Sequence, residues 1–238
     1  MPVDELELHP FLDSGESITG HRMIVGTFPV YSITLPETNH KQALVKSRGD
    51  MPFFYGSRSN NWWDWYKEYI DSGVETRMAE SLLSSLKRNG IAISDVISSC
   101  KRIDESFMDN RLRDITWNTN LSKRIERGIE RILCTGKSDQ GAMGWLRKRI
   151  LMPNGFSFEY DRSKELHNQI LQEIPGSNRN INLIANVLVK NGKSVEIIAL
   201  PSPGSPERRV NDFGRVEHLT TEYLRKYLSV SFNWFMHM

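Results

Sequence analysis

The chain has 238 residues, 39% of them hydrophobic and 25% charged, with a formal net charge of +2 and a pI of about 8.5. Such proportions suit a globular unit with a sizeable core; they exclude collagen-like and disordered classes, and any nucleic-acid surface has to be local. Two cysteines, Cys100 and Cys134, exclude a Cys-rich metal or iron–sulfur site. The start, Met1-Pro2-Val3-Asp4-Glu5, is acidic, and no run approaches 18 apolar residues, so the expectation is a cytoplasmic protein with reduced thiols, no leader and no membrane span.

Residues 1–20 read as an irregular lead-in, with Pro10 and Gly15. His21 to Val25 is the first strand, and it ends in the turn Gly26-Thr27-Phe28-Pro29. Residues 34–50 are polar and broken by Pro36 and Gly49, which predicts a loop. An aromatic stretch from Phe53 to Trp63 leads into a helix over Asn61 to Asp71. A second helix covers Val74 to Arg88, with Met78, Leu82, Leu83 and Leu86 at helical spacing and Asn89-Gly90 to stop it. Ile91-Ala92-Ile93 is a short buried strand, followed by Ser94-Asp95 and the apolar-spaced Val96 to Cys100.

Lys101 to Asn120 is polar and predicts a long loop pinned by Trp117. Leu121 to Ile129 is a basic amphipathic helix. Arg131 to Gly136 is another central strand with a glycine turn, and Asp139 to Arg149 is its following helix. Asp161 to Glu173 is a further helix. Asn182 to Lys190 and Ser194 to Leu200 are apolar runs joined by Asn191-Gly192, a strong hairpin signal. The second run ends in Pro201-Ser202-Pro203-Gly204-Ser205-Pro206, and Thr220 to Tyr227 closes the chain as a helix, with Phe232, Trp234 and Phe235 behind it.

Strands near 23–26, 91–94, 132–135 and 195–200 alternate with helices. That rhythm predicts a single α/β domain over residues 1–238, three layers in the order α/β/α around a mostly parallel central sheet. Each of these strands ends in a polar or Gly/Pro turn, so four ends on one edge would make one site.

Gly136-Lys137-Ser138 has the tail of a phosphate loop, but Arg131 stands where that pattern needs glycine, which rejects a nucleotide triphosphatase. None of His9, His21, His40, His167, His218 and His237 falls in a metal-spaced pair, so no metal is expected. Cys100 and Cys134 have no nucleophile pattern and read as small buried hydrophobes. Among the aromatics, Trp63 and Tyr66 belong to the core. Phe54 and Tyr55, just before Gly56, are better placed to stack on a flat polar ring. Arg208-Arg209 follows the Pro/Gly/Ser loop and reads either as solvated charge or as phosphate contacts.

Taken in order, these pieces resemble the uracil-DNA glycosylase superfamily, and most of all its hypoxanthine- or family-6-type DNA glycosylase branch. The likeness runs over nearly the whole chain. It rests on Ile24-Val25-Gly26-Thr27-Phe28-Pro29, on Phe54-Tyr55-Gly56 with Asn60 and Trp62-Trp63, on Gly90 to Val96, on Ile132 to Lys137 and on Leu200-Pro201-Ser202-Pro203. What it implies is a monofunctional DNA glycosylase that works as a monomer on DNA, without metal or cofactor. Asn60 would orient water towards C1′ of a flipped nucleotide. Asp95 would accept hydrogen bonds from the base edge, with Phe54 or Tyr55 stacked on the base and Phe28 beside it. Backbone amides near Gly26 and Thr27 would steady the departing base anion. Ser202, Gly204 and Ser205 would grip phosphates, with Arg208 and Arg209 nearby.

The chain also departs from the pattern. Ser57-Arg58-Ser59 replaces a His-Pro-Arg-like run, Leu200 stands where other branches have a histidine, and the first turn lacks the Asp of the classical uracil enzymes. A deaminated purine, or a bulky modified pyrimidine such as phage DNA carries, is then the alternative to uracil, and the latter implies a defence enzyme. The departures also motivate a non-catalytic module that recognises an altered base or a protein partner. A nucleotide-processing enzyme unrelated to DNA rests on fold analogy alone.

Overall fold

The computed structural model describes residues 5–34, 50–103, 109–216 and 220–237; residues 35–49 of the predicted loop lie outside these. The strands in chain order are β1 (Glu7–Leu8), β2 (Arg22–Gly26), β3 (Ile91–Asp95), β4 (Ile97–Arg102), β5 (Leu112–Trp117), β6 (Arg131–Thr135), β7 (Ser157–Phe158), β8 (Ala185–Lys190) and β9 (Lys193–Leu200). The helices are α1 (Leu12–Glu16), α2 (Tyr31–Thr34), α3 (Trp62–Tyr69), α4 (Ala79–Arg88), α5 (Asn120–Glu126), α6 (Ala142–Trp145), α7 (Tyr160–Gln172), α8 (Pro206–Arg209) and α9 (Thr220–Met236).

The main sheet has six strands in the order β3-β2-β6-β9-β8-β7. The first four are mutually parallel, and β8 and β7 extend the edge antiparallel. Successive strand residues face opposite sides of a sheet, yet Met23, Ile24 and Val25 are all fully buried, as are Ile132, Leu133 and Cys134. Both faces of the central strands are therefore covered, which is why they read as unbroken apolar runs. The expected α/β class with a mostly parallel sheet is what forms. The β8–β9 hairpin also forms as expected, with Asn191 and Gly192 at φ of 51° and 76°, the pair of left-handed residues that a two-residue turn of this type requires.

Five sequence expectations need correction. Within the loop expected over 101–120, residues 112–117 form a strand instead: β5 pairs with β4, and β4 with β1, to give a separate three-stranded antiparallel sheet, while residues 104–108 lie outside the described residues. Likewise β1 and α1 give structure to the lead-in. The closing helix continues beyond Tyr227 to Met236, because Leu224, Leu228, Ser231 and Phe235 keep one helical stripe buried. Its last carbonyls are capped by arginines: Arg22 donates to the carbonyls of Phe235 and Met236, both at 2.7 Å, and Arg131 to those of Trp234 and His237. The helix expected over 74–88 starts only at Ala79, since Met78 is extended and Ser81 Oγ takes the Glu75 N–H at 3.0 Å. The one expected over 139–149 starts at Ala142 and widens into a π-helical segment, Leu146–Leu151.

The short α3 buries Trp62, Trp63, Trp65 and Tyr66 together. Phe232 of α9 closes on it, stacked 5.2 Å from Tyr69 and tilted 5.9 Å from Trp62. This aromatic block is the rigid footing for the turn that precedes α3.

Candidate functional site

From β2 the chain crosses first to β3 on one side and then to β6 on the other. The strand order therefore reverses between β2 and β6, and in open α/β sheets the crevice beyond the carboxyl ends at such a point is where ligands bind. Here the crevice is a cavity of about 130 Å³. All four parallel strands deliver residues to it: Thr27, Phe28 and Pro29 after β2, Asp95 at the end of β3, Thr135 at the end of β6, and Ser202, Pro203 and Gly204 after β9. The turn before α3 supplies Tyr55, Ser57 and Asn60.

Gly26 is dictated by space. A Cβ there would lie 2.3 Å from Tyr55 Oη and 2.4 Å from Asp95 Oδ1, so the two polar atoms converge over its backbone. Asp95 is only 4% exposed. Its Oδ2 is bonded to His9 Nε2 at 2.8 Å, while His9 Nδ1 accepts the Phe11 N–H at 3.1 Å. The ring proton is thereby placed on Nε2, and the histidine donates to the carboxylate. Asp95 Oδ1 is buried with no partner among the described residues. A buried acceptor left unmatched is costly, and a ligand that brings an N–H or O–H donor would match it.

Tyr55 sits in the left-handed region, φ 53°, a strain of about 1–3 kcal/mol for a non-glycine residue. The turn holds it there: Trp63 Nε1 donates to the Phe54 carbonyl at 2.7 Å, and the Tyr55 ring lies 5.2 Å from that of Trp62. Burial, and then the charge of Asp95, push the Tyr55 hydroxyl well above its ordinary pKa, so it is a neutral group. The Thr135 hydroxyl lies beside it without completing a hydrogen bond.

Asn60 is half-buried at the cavity wall. Its Oδ1 accepts the Trp62 N–H at 2.9 Å, which caps the start of α3 and leaves the amide NH2 as the group free to act. Asn61 donates twice to the Pro203 carbonyl, from its backbone at 3.1 Å and its side chain at 2.8 Å. The loop after β9 is thus tied to the turn carrying Asn60.

Asp109 comes from a short 3-10 turn, Asp109–Arg111, just ahead of β5, and also lines the cavity. Burial pushes its carboxyl up to about 6; the nearby Thr27 hydroxyl and Arg102 oppose the rise, and the Asp95 charge adds to it. Beneath the loop after β2, Arg102 is 2% exposed. It donates through Nε to both Glu7 carboxylate oxygens at 3.0 Å and through Nη2 to the Pro29 carbonyl at 2.5 Å, with its guanidinium 5.6 Å from the Phe28 ring centroid. One buried ion pair therefore fixes the floor loop.

Most of the residues singled out in the sequence meet here, and some do not. Phe54 is fully buried between His9 and Phe11, at ring separations of 5.2 and 5.9 Å, and does not line the cavity, so it cannot stack on a guest. Tyr55 and Phe28 are the rings that reach it. Ser205, Arg208 and Arg209 lie beyond the lining, at the start of and along α8; both arginines are exposed, and Arg209 is 3.9 Å from Asp212. His9, Glu7, Arg102, Asp109 and Thr135 were not anticipated, and no local signal marks them: the partners of His9 and Glu7 are 86 and 95 residues away.

Both cysteines are free and buried, and burial pushes Cys100 up to about 12 and Cys134 up as well, so neither is poised as a nucleophile. Among the described residues, no group of three or more His, Cys, Asp or Glu is arranged to hold a metal ion, and no helix is long and apolar enough to cross a membrane.

Neither a protein-family model nor a curated protein sequence matches the chain. Among solved structures, the solution NMR structure of a Methanosarcina acetivorans protein, provisionally assigned as a uracil DNA glycosylase, is similar over 95% of this chain and 99% of that one, at 17% sequence identity and a TM-score of 0.44. A likeness of that strength carries neither an activity nor a site from one protein to the other.

Proposed function

We propose that the protein is a monofunctional DNA glycosylase, which hydrolyses the N-glycosidic bond of a damaged, deaminated or modified base turned out of DNA and leaves an abasic site. The observation that carries this reading is the cavity at the sheet's switch point, with the buried acceptor Asp95 Oδ1 on one side and the Asn60 amide on another. At about 130 Å³ it falls below the roughly 300–1,000 Å³ of sites for drug-sized molecules and suits one flat ring. The ordered motifs in the sequence point to the same chemistry.

In this reading the base enters with an N–H donor towards Asp95, because an ionised carboxylate only accepts. Tyr55 and Phe28 offer ring faces, and Thr27 and Phe28 present backbone N–H groups to the departing base. Asn60 orients the water through its amide. Ser202 and Gly204 stand where the phosphates of the bent strand would pass, with Ser205, Arg208 and Arg209 further out. The lost stacking of the extruded base is offset by these contacts. The protein acts as a single-domain monomer, in repair or, on a bulky modified pyrimidine of the kind phage DNA carries, in defence.

The test is release of free base from a panel of oligonucleotides carrying deaminated or otherwise modified bases. The wild type is expected to release at least one of them, and Asn60→Ala to slow release by ~100-fold or more, the scale set by loss of correct positioning. No release from any substrate, or full activity in the variant, overturns the proposal. One observation favours a second reading: Asn60 Oδ1 is already committed to the Trp62 N–H, as a purely structural cap would be. A non-catalytic module would bind modified DNA tightly and leave no abasic product. Both readings require affinity to fall steeply with salt.

A further inference from the structure

Hydrolysis is faster where a side chain takes a proton from the attacking water, and the titratable side chains of the cavity narrow the choice. Asn60 is an amide and takes none. Tyr55 is held neutral, and a neutral phenol is no base. Asp95 is 4% exposed, with one oxygen bonded to His9 and the other turned over Gly26 beside Tyr55 Oη. Asp109 enters from a separate element; the surrounding protein crowds its carboxyl, yet the residue keeps a partly exposed surface on the cavity, where water can reach it. Two carboxyls in one cavity with unlike surroundings divide acid–base work between them.

We infer that Asp109 is the general base of the reaction, while Asp95 is the carboxylate that binds the base; this rests on the glycosylase reading of the same cavity. As the water oxygen bonds to C1′, one of its protons passes to an Asp109 carboxylate oxygen. The C1′–N bond breaks and its electron pair leaves with the base. The base anion takes a proton from solvent, and Asp109 returns its own to solvent, so the products are a C1′ hydroxyl and a neutral free base. The charges that face Asp109 are Asp95 at the end of β3, itself bonded to His9, and Arg102 of β4, itself paired with Glu7; Tyr55 and Cys100 feel its charge and are neutral. A base must be unprotonated to act, so the rate should climb with pH and level off above about 6.

The experiment is single-turnover base release between about pH 4.5 and about pH 8.5, on whichever oligonucleotide of the panel the wild type cleaves. Asp109→Asn is expected to lose roughly 10²–10⁴-fold in rate and the rising limb with it, while binding the same DNA as tightly. Asn60→Ala should lose rate and keep the limb. An active wild type beside an Asp109→Asn protein that keeps its rate or its limb overturns this inference and leaves the glycosylase reading standing. An inert wild type overturns both. A carbon-13 titration of labelled aspartate carboxyls needs no activity, and Asp109→Glu assigns the signal should the asparagine variant not fold. A carboxyl titrating near 6 supports the role, and one in the ordinary aspartate range refutes it.

Discussion

The two edges of the main sheet make an instructive pair. The amino-terminal edge holds the larger cavity, about 590 Å³, lined among others by His21, Glu126, Arg131, Lys190 and Glu196. Its charges answer one another: Lys190 Nζ lies 2.8 Å from Glu126 and 2.7 Å from the Asn154 carbonyl, Arg131 is 3.8 Å from Glu196, and His21 is 3.8 Å from Glu130. The carboxyl-terminal edge holds the smaller cavity, about 130 Å³, yet there a buried acceptor is unmatched among the described residues, a tyrosine is strained and a carboxyl is shifted. Volume is a poor guide to chemistry. Polar groups held in costly states by their surroundings are a better one, because folding alone gives no reason to keep them so.

That contrast can be broken or sharpened by experiment. Arg102→Ala should be the most damaging change, since it strands the buried Glu7 carboxylate and frees the Pro29 carbonyl; a loss of about 3–5 kcal/mol is expected in urea unfolding. Gly26→Ala should cost ~1–3 kcal/mol by overpacking and abolish ligand binding, because Tyr55 Oη and Asp95 Oδ1 must both move; a melting curve and a DNA-binding titration would read the two effects. Asp109→Asn should gain stability relative to the wild type as pH rises. The carboxyl's folded pKa of about 6 lies above its unfolded value, so the wild type is favoured while protonated and loses ground as pH climbs through that window, whereas the amide does not titrate. Paired thermal melts across the window would show the crossing, and parallel curves would refute it. At the other edge, Lys190→Ala should cost only ~0.2–1 kcal/mol and leave base release unchanged, because a partly exposed ion pair contributes little.

What could be read from the chain followed its local signals. A buried parallel strand is an apolar run with a turn after it, and β2 and β6 have that form; Asn191-Gly192 is a hairpin written in two residues. Asp95 and the Ser202 loop adjoin such strands and Asn60 precedes a helix, so their positions could be read, while the roles expected of them came from the family resemblance. The antiparallel sheet could not. β5 reads Leu-Arg-Asp-Ile-Thr-Trp, with no residue fully buried, Asp114 in the left-handed region at φ 49° and irregular pairing with β4, so its alternation is blurred. β1 is two residues long. Asp109, which precedes β5, was hidden in the same polar stretch. Glu7, His9 and Arg102 acquire meaning only from partners that the fold delivers from far along the chain.

The aromatic block under α3 has an optical consequence. Trp62, Trp63 and Trp65 are all shielded from solvent, and Trp62 is one ring away from Tyr55. Buried indoles emit at short wavelength, so the intact molecule should fluoresce blue and shift red as it unfolds. A guest stacked against Tyr55 would stand next to that emitter and alter its intensity, which gives the cavity a built-in, label-free readout.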